Sequence, residues 1–274
     1  GVVAVVHPHH RHIGLHLRNE VQDHGLKRAK VGGDDGALAQ AQRPARERLR
    51  VVAHLGVDAR QLCGADGRGG CGGVGGFALE ALVRSGIGRI VLIDGDSVAV
   101  SNLNRQIIAT QATIGRRKVE VAKERALSIR PDVVVETHDI VYTDSEYPDF
   151  IASLKVDYVI DAIDMVTAKL AIIENCQKLG VPCISSMGTG NKMHPELLTI
   201  ADIHKTHTCP LAKVMRRELR KRGIKKQTVV YSPEQPMTPH RDDDSRSPGS
   251  CGFVPSVSGL MMASYVIRTF LEVE

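Results

Sequence analysis

The sequence predicts an α/β fold over residues 69–274: a doubly wound, mainly parallel sheet with helices on both of its faces. Two observations carry this prediction. From Gly70 onward, short apolar runs typical of buried strands alternate with helical patterns of about 10–15 residues, as in successive βαβ units. A glycine cluster, Gly70–Gly76, opens the first of these helical patterns.

Glycine and proline set the ends of the predicted elements. The first helix stops at Gly86, and a later helix ends before Pro131. Gly180 follows another helix in the position where glycine relieves a left-handed cap. In chain order, we predict a helix over 77–85, a strand over 89–94, a helix over 115–129, a strand over 133–137, a helix over 146–154, a strand over 156–161, a helix over 166–179, a strand over 182–186, a helix over 210–222, a strand over 227–232 and a helix over 256–270.

Residues 1–68 do not share this organisation, and we predict that they form an atypical, poorly ordered leader before the domain at 69–274. Seven of the twelve histidines fall in the first 54 residues, without a sustained helical or strand period. A histidine cluster also permits metal binding, and an error in the reading frame would leave the same abrupt change near Gly70. The strand expected before the glycine loop is missing, since residues 63–69 are too polar and glycine-rich.

Composition bounds the function classes. Hydrophobic residues make up 42% and charged residues 24% of the chain, as in soluble globular proteins. No apolar run reaches the roughly 18 residues of a membrane span, and the N-terminus shows no secretory signal. The six cysteines form no CxxC pair, so we expect neither a disulfide framework nor a four-thiolate zinc site, and we predict a cytoplasmic protein. The net charge of +5 permits a polyanionic partner without requiring one.

The glycine loop indicates nucleotide binding but leaves the nucleotide open. Gly70, Gly72 and Gly75 fit G-x-G-x-x-G at the start of a helix. Asp94 follows about 20 residues later, at the end of the next strand. In a Rossmann-like fold the helix N-terminus binds phosphate and the acid binds the ribose hydroxyls. A nicotinamide-dependent oxidoreductase and a non-catalytic nucleotide-binding module both fit this pattern.

Basic residues after Asp94 favour an enzyme that handles a triphosphate. Arg105 can place two donors on phosphate oxygens, and Lys118 supplies a point charge where negative charge builds up as pyrophosphate leaves. A hydride-transferring enzyme needs neither residue at this place. Arg116 and Arg117 fit a solvated basic helix face better.

Three motifs follow one another after the glycine loop. They are Asp-x-Asp-x-Val-x-x-Ser-Asn-Leu-x-Arg-Gln over 94–106, Gly-x-x-Lys-Val-Glu over 115–120, and Val-Ile-Asp-Ala-Ile-Asp over 159–164. Together they resemble the E1-like superfamily, whose members adenylate a carboxylate within a doubly wound ATP-binding domain. The resemblance covers about residues 70–270. It implies ATP and Mg²⁺ as cofactors and, as is usual in the superfamily, a homodimer.

The resemblance also implies roles for individual residues. The implied ATP-binding set is Gly70, Gly72, Gly73, Gly75, Asp94, Ser101, Asn102, Arg105, Lys118 and Asp164. Gly73 would lie against the phosphates and Asp94 on the ribose, and the expected catalytic residues are Arg105, Lys118 and Asp164. Asp164 is also the expected Mg²⁺ ligand, supported by Asp161, because a carboxylate after a buried strand needs a cation, a metal or donors. Members also use an arginine from the partner subunit's N-terminal region, but the arginines at positions 46, 48 and 50 form no recognisable motif.

Later motifs select a branch of this superfamily. Members that activate sulfur-carrier proteins commonly hold zinc with two CxxC pairs, which this chain lacks. Its series Met-Gly-Thr-Gly-Asn-Lys over 187–192, Thr-His-Thr-Cys-Pro-Leu-Ala-Lys over 206–213 and Pro-Gly-Ser-Cys-Gly-Phe-Val-Pro over 248–255 resembles the tRNA threonylcarbamoyladenosine dehydratases. These enzymes use ATP to activate the carboxylate of the modified adenosine and close a ring with loss of AMP, sometimes in association with sulfur-transfer proteins. An adenylyltransferase for a ubiquitin-like sulfur carrier is the nearest alternative.

The helix over 210–222 carries the predicted tRNA contacts. Its dense basic residues suit salt-dependent phosphate binding, although a solvated helix face is the alternative. The expected RNA-binding residues are Lys213, Arg216, Arg217, Arg220 and Lys221. Cys209, just before this helix, is either a nucleophile or a small structural residue, and we expect the latter.

Overall fold

The structure, a computed structural model, describes residues 50–54, 72–238 and 249–272. Its strands are β1 (Arg50–His54), β2 (Arg89–Ile93), β3 (Val134–His138), β4 (Tyr158–Asp161), β5 (Cys183–Ser186), β6 (Thr199–Asp202) and β7 (Thr228–Tyr231). Its α-helices are α1 (Gly75–Arg84), α2 (Lys118–Ile129), α3 (Phe150–Ser153), α4 (Val166–Leu179), α5 (Pro210–Lys221) and α6 (Val254–Phe270). Short 3₁₀ helices lie at Val100–Asn102, Gln111–Thr113, Pro195–Leu197 and Ile203–Lys205.

Within the described residues, seven strands form one sheet in the order β3-β2-β1-β4-β5-β7-β6. In this order, the six strands β3-β2-β1-β4-β5-β7 pair in parallel, and the edge strand β6 runs antiparallel to β7. The strand order therefore reverses between β1 and β4. Ligands of open α/β sheets bind beside the carboxyl ends of the strands at such a reversal. The predicted doubly wound, mainly parallel sheet is confirmed.

The central strand β1 corrects one prediction from the sequence. The sequence indicates no strand leading into the glycine loop, yet β1 pairs with both β2 and β4. Val52 is in register with Val91 on one side and Val159 on the other, so an apolar Val-Val-Ala run takes the slot between two buried strands. The prediction fails because a strand is expected directly before the glycine loop, whereas β1 lies further upstream. Residues 1–49 and 55–71, which hold the rest of the predicted leader, lie outside the described residues.

Most of the other predicted elements are confirmed with small shifts at their ends. α2 starts at Lys118 rather than Gly115, because Gly115 has a φ of +85° and its N–H donates to the Val98 carbonyl at 2.8 Å in a turn. The helix predicted over 146–154 is the single turn of α3. The edge strand β6 is not predicted at all, since its residues are exposed or half-buried and do not form the apolar run of a buried strand.

Alternating side chains of the buried strands pack against opposite layers of helices. Ile90 and Leu92 of β2 belong to the core beneath α1, α2 and α6, whereas Val91 and Ile93 belong to the core beneath α3 and α4. A third cluster joins α4 and α5 around Met215. The carboxyl ends of the parallel strands therefore open between two helix layers, where their loops meet. No helix in the described ranges combines the length and the apolar character of a membrane span.

Candidate nucleotide-binding site

The glycine loop is described from Gly72 onward, while Gly70 lies outside the described residues. Gly72 and Gly73 form a turn that runs directly into α1, and the first turn of α1 contains no acidic residue. A helix N-terminus of this kind favours an anion. A Cβ on Gly73 would lie 2.9 Å from Pro255 Cβ, closer than real side chains approach, and 3.3 Å from the Arg105 carbonyl oxygen, a tight contact. Glycine at this position therefore brings the loop against the Arg105 segment and the first turn of α6.

Two buried carboxylates follow β2. Asp94 and Asp96 are 0% and 5% exposed, and an Asp94 carboxylate oxygen accepts from the Asp96 N–H at 2.9 Å. Lys118 contacts two oxygens of Asp96. Its Nζ lies 2.8 Å from Asp96 Oδ2, and its backbone N–H donates to the Asp96 carbonyl at 2.9 Å. The structure thus places Lys118 against Asp96, in the same loop after β2 that holds Asp94. The structure also gives a role to Asp96, the second acid of the Asp-x-Asp motif, for which the sequence predicts none.

The loop after this acidic pair holds Ser101, Asn102 and Arg105. Asn102 is buried and its Oδ1 accepts from the Ala99 N–H at 3.0 Å, which fixes the 3₁₀ turn. Arg105 is partly exposed, and its Nη1 donates to the Ser101 carbonyl at 2.8 Å and to Asn104 Oδ1 at 3.0 Å. The guanidinium is therefore held by its own loop, next to the glycine loop.

Unpartnered buried amides mark the same loop. Asn102 Nδ2 and both polar atoms of the Gln106 side chain are buried without a hydrogen-bond partner among the described residues. Buried polar groups of folded proteins are nearly always bonded, so these atoms fit a polar ligand rather than a closed core. Sequence reasoning missed Gln106, although it ends the first motif. Together with the tight Gly73 turn, these donors and acceptors fit a nucleotide.

A second buried ion pair lies at the end of β4. Lys169 Nζ is 2.9 Å from Asp161 Oδ2, and both side chains are 0% exposed. The same ammonium donates to the Ile163 carbonyl at 2.9 Å. Asp164, by contrast, is exposed in the loop before α4. The argument that burial demands a cation therefore applies to Asp161, and Lys169 is that cation.

The geometry of β1 relates the two ion pairs. His54, the last residue of β1, is in register with Ile93 and with Asp161. Because neighbouring strands lie about 4.8 Å apart, the acids after β2 and at the end of β4 flank the end of β1 at the topological reversal. Within the described ranges, no group of three or more His, Cys, Asp or Glu side chains is arranged to hold a metal ion.

The loop after β5 contributes a buried lysine, Lys192, for which the sequence predicts no separate role. Lys192 Nζ donates to the carbonyls of Gly188, at 2.9 Å, and Ser232, at 3.0 Å, and so ties the loops after β5 and β7 together. Burial lowers the pKa of this ammonium. Cys209 is also fully buried, within the cluster between α4 and α5, which agrees with a small structural residue.

The basic helix α5 is partly neutralised by its own acid. Glu218 accepts from Arg217 Nε at 2.9 Å and from Lys221 Nζ at 3.1 Å, and these contacts lower the pKa of Glu218 to about 2. Arg216 Nη1 donates to Thr206 Oγ1 at 2.6 Å. A surface pocket lies along the same helix, lined by Pro210, Lys213, Val214, Arg216, Arg217 and Arg220. Lys213, Arg217 and Arg220, spaced like successive turns, share one exposed face.

The doubly wound sheet, the glycine loop at a helix N-terminus and the buried acid after β2 define a Rossmann-type nucleotide-binding protein. Residues 69–274 match a profile described as the ThiF family. The chain therefore belongs to the ThiF family, within the E1-like superfamily.

Within this family, the chain is similar to proteins with more specific names. The chain is 44% identical over 217 residues to a tRNA threonylcarbamoyladenosine dehydratase of Bacillus subtilis, covering 74% of this chain and 85% of that protein. The crystal structure of E. coli tRNA N6-threonylcarbamoyladenosine dehydratase, TcdA, in complex with ATP has a TM-score of 0.72 at 30% identity, over 85% of this chain and 90% of that one. The E. coli molybdopterin-synthase adenylyltransferase is 30% identical over 140 residues, 51% of this chain and 55% of that protein.

Proposed function

We propose that the chain is an ATP-dependent tRNA threonylcarbamoyladenosine dehydratase. The observation that carries the proposal is the 44% identity to a dehydratase of that name over most of both chains, in a chain with a candidate nucleotide site at the topological reversal. The reaction has two steps. The modified adenosine's carboxylate oxygen bonds to the α-phosphorus of ATP and pyrophosphate leaves; a nitrogen of the same side chain then bonds to the acyl carbon, loses its proton, and AMP leaves.

The chain's own residues bind and orient the reactants. ATP supplies the adenylyl group and the pyrophosphate leaving group. The glycine loop and the N-terminus of α1 bind phosphate, Asp94 binds the ribose hydroxyls, and Ser101 and Asn102 shape the loop beside the nucleotide. Arg105 neutralises the charge that grows on the departing pyrophosphate. Ring closure needs little further help, because an intramolecular attack on an activated acyl group is entropically favoured.

Lys118 has a shared role in this proposal. Its ammonium carries three donors, of which the ion pair with Asp96 takes one. We assign the remaining donors to a phosphate oxygen, so that Lys118 both fixes the acidic loop after β2 and adds positive charge at the triphosphate. Asp96 then sets the direction in which the ammonium points.

Magnesium belongs with Asp164 in this proposal. Mg²⁺ is usually held by one or two carboxylates together with substrate phosphates and water, rather than by a cage of protein ligands. An exposed Asp164 beside α4 fits that arrangement better than the buried Asp161, whose charge Lys169 already compensates. Asp161 instead supports the loop, because its Oδ1 accepts from the Ile163 N–H at 3.1 Å.

The tRNA contacts are assigned to α5 and its pocket. Lys213 and Arg220 face this pocket, whereas Arg217 and Lys221 also bond Glu218 and Arg216 also bonds Thr206. Exposed cations on one helix face fit the sugar–phosphate backbone of RNA. A tRNA substrate also implies a cytoplasmic location.

The assembly is proposed from the family resemblance. We expect a homodimer, with an arginine from the partner subunit completing the phosphate site, and we allow for associated sulfur-transfer proteins. We also propose that residues 69–274, together with β1, form the adenylating domain, and that the rest of 1–68 is a separate leader. Light scattering of the purified chain tests the dimer.

A second candidate is an adenylyltransferase for a sulfur-carrier protein, favoured by the 30% identity to the E. coli molybdopterin-synthase adenylyltransferase. Exchange of labelled pyrophosphate into ATP separates the two candidates. The dehydratase requires tRNA that carries threonylcarbamoyladenosine for exchange, and a small protein with a Gly-Gly tail does not replace it. The reverse dependence would select the adenylyltransferase.

A further inference from the structure

Arg117 is not the solvated basic residue that the sequence indicates. It lies at the N-terminal boundary of α2 and donates to three groups on two loops. Its Nη2 bonds the Gly95 carbonyl at 2.6 Å, its Nη1 bonds Ser97 Oγ at 3.2 Å, and its Nε bonds Asp139 Oδ2 at 2.6 Å, with a second contact from Nη2 to Asp139 Oδ1. Asp139 raises the pKa of the Arg117 guanidinium.

These bonds hold the peptide next to Asp94, the predicted ribose-binding residue. Gly95 joins Asp94 to Asp96, so its carbonyl is one residue from the Asp94 carboxylate. A Cβ on Gly95 would lie 2.6 Å from Val141 Cγ2 and 2.9 Å from the Val141 nitrogen, so the loops after β2 and β3 already touch here. Arg117 bridges the same two loops through Gly95 and Asp139.

The neighbouring residue holds the other side of the same turn. Lys118 pairs with Asp96, and the Asp96 N–H donates to Asp94 Oδ1. Arg117 fixes the carbonyl of the residue between them. The Asp94 carboxylate is therefore oriented by a turn that two consecutive basic residues clamp from two directions.

We propose that Arg117 is a positioning residue that fixes the orientation of the Asp94 carboxylate and thereby sets the selectivity for the ribose hydroxyls of ATP. This inference rests on the proposed function, in which Asp94 binds the ribose. Arginine suits the task because its planar guanidinium reaches a carboxylate and a carbonyl at once, whereas the point charge of a lysine cannot hold both in a fixed geometry. Arg117 itself does not touch the nucleotide in this proposal.

Nucleotide binding by the full chain tests the inference without relying on turnover. Dissociation constants are measured calorimetrically for ATP, 2′-deoxy-ATP and 3′-deoxy-ATP, with wild type, Arg117→Met, Arg117→Lys and Asp139→Asn. Arg116→Met is the matched control, because Arg116 is the adjacent arginine and pairs with Glu124 away from the acidic loop. Circular dichroism confirms that each variant is folded.

We expect wild type and Arg116→Met to prefer ATP over at least one deoxy analogue by about tenfold or more, as for a hydrogen bond to a charged group. In Arg117→Met this preference falls below about threefold while affinity for the deoxy analogue stays nearly constant. Arg117→Lys and Asp139→Asn lie between. In turnover assays the KM for ATP rises and kcat changes little.

Four results overturn the inference, and they are distinguishable. If Arg117→Met keeps the full ribose preference, or loses affinity equally for all three nucleotides, Arg117 does not position Asp94. If wild type binds ATP but does not distinguish the deoxy analogues, the ribose role of Asp94 fails together with that of Arg117. If wild type binds no ATP at all, the proposed function itself fails.

Discussion

Lys118 Nζ lies 2.8 Å from Asp96 Oδ2, and the two side chains are 0% and 5% exposed. A buried ion pair of this kind constrains how the site is interpreted, because removing one partner leaves an uncompensated charge in a medium of low polarity. Lys118 is therefore part of the structure of the acidic loop as well as a candidate phosphate ligand. The pair Lys169–Asp161 repeats the arrangement on the other side of β1.

The first prediction concerns the stability of this pair. Lys118→Met should lower the free energy of unfolding by about 3–5 kcal/mol, since it strands the Asp96 carboxylate. The double variant Lys118→Met/Asp96→Asn should recover a large part of that loss. Urea denaturation measures both, and Lys178→Met, at an exposed site on α4, is the control that should change stability by less than about 0.5 kcal/mol. A double variant no more stable than the single one contradicts the pairing.

The second prediction concerns Arg105. Arg105→Ala should lower kcat by about 10²–10³ and weaken ATP binding far less, because its charge matters most as pyrophosphate departs. Single-turnover kinetics and equilibrium binding measure the two effects separately. Arg84→Ala, which removes an exposed arginine at the far end of α1, is the control and should leave both unchanged. A loss of ATP affinity with kcat unchanged would place Arg105 in ground-state binding only, and equal losses in affinity and kcat would also contradict this assignment.

The third prediction separates Asp164 from Asp161. Asp164→Asn should keep the fold and abolish the magnesium dependence of activity, because the exposed amide retains the shape and loses the charge. Asp161→Asn should instead destabilise the protein, because it leaves Lys169 buried without its partner. Titration of activity with Mg²⁺, beside thermal denaturation, distinguishes the two. An Asp164→Asn variant that responds to Mg²⁺ as wild type does shows that Asp164 is no metal ligand.

The fourth prediction concerns tRNA. Lys213→Ala/Arg220→Ala should weaken tRNA binding and reduce the slope of log K against log salt by about 1.4–1.8, from about 0.7–0.9 for each lost phosphate contact. Filter binding over a range of KCl concentrations gives the slope. Lys178→Ala is the exposed control on the neighbouring helix. An unchanged slope in the double variant would show that tRNA does not bind through these two residues of α5.

Local signals account for the parts of the fold that the sequence predicts well. α4 is predicted to the residue, because Gly180 ends it with a φ of +67° in the left-handed cap that glycine favours. β1 escapes prediction because it lies well upstream of the glycine loop, where no strand is expected. β6 escapes prediction because it is an edge strand whose residues are exposed or half-buried, so it lacks the continuous apolar run of a buried strand.

In the candidate site, too, local motifs are predicted from the sequence and tertiary contacts are not. Asp94, Arg105 and Lys118 are proposed from motif and spacing alone, because they follow the glycine loop closely along the chain. The burial of Asp161, the exposure of Asp164 and the bridge from Arg117 to Asp139 are not found, since each depends on which loops meet at the sheet edge. A lysine paired with an acid across two elements likewise gives no sequence signal beyond the two charges.

The central claim is tested most directly by nucleoside mass spectrometry of tRNA. The purified chain is incubated with ATP, Mg²⁺ and tRNA that carries threonylcarbamoyladenosine, and the nucleosides are analysed before and after. The account predicts that threonylcarbamoyladenosine is replaced by a product lighter by one water, with AMP formed in equal amount and no product without ATP. An unchanged nucleoside, from a chain that binds both ATP and this tRNA, would contradict it.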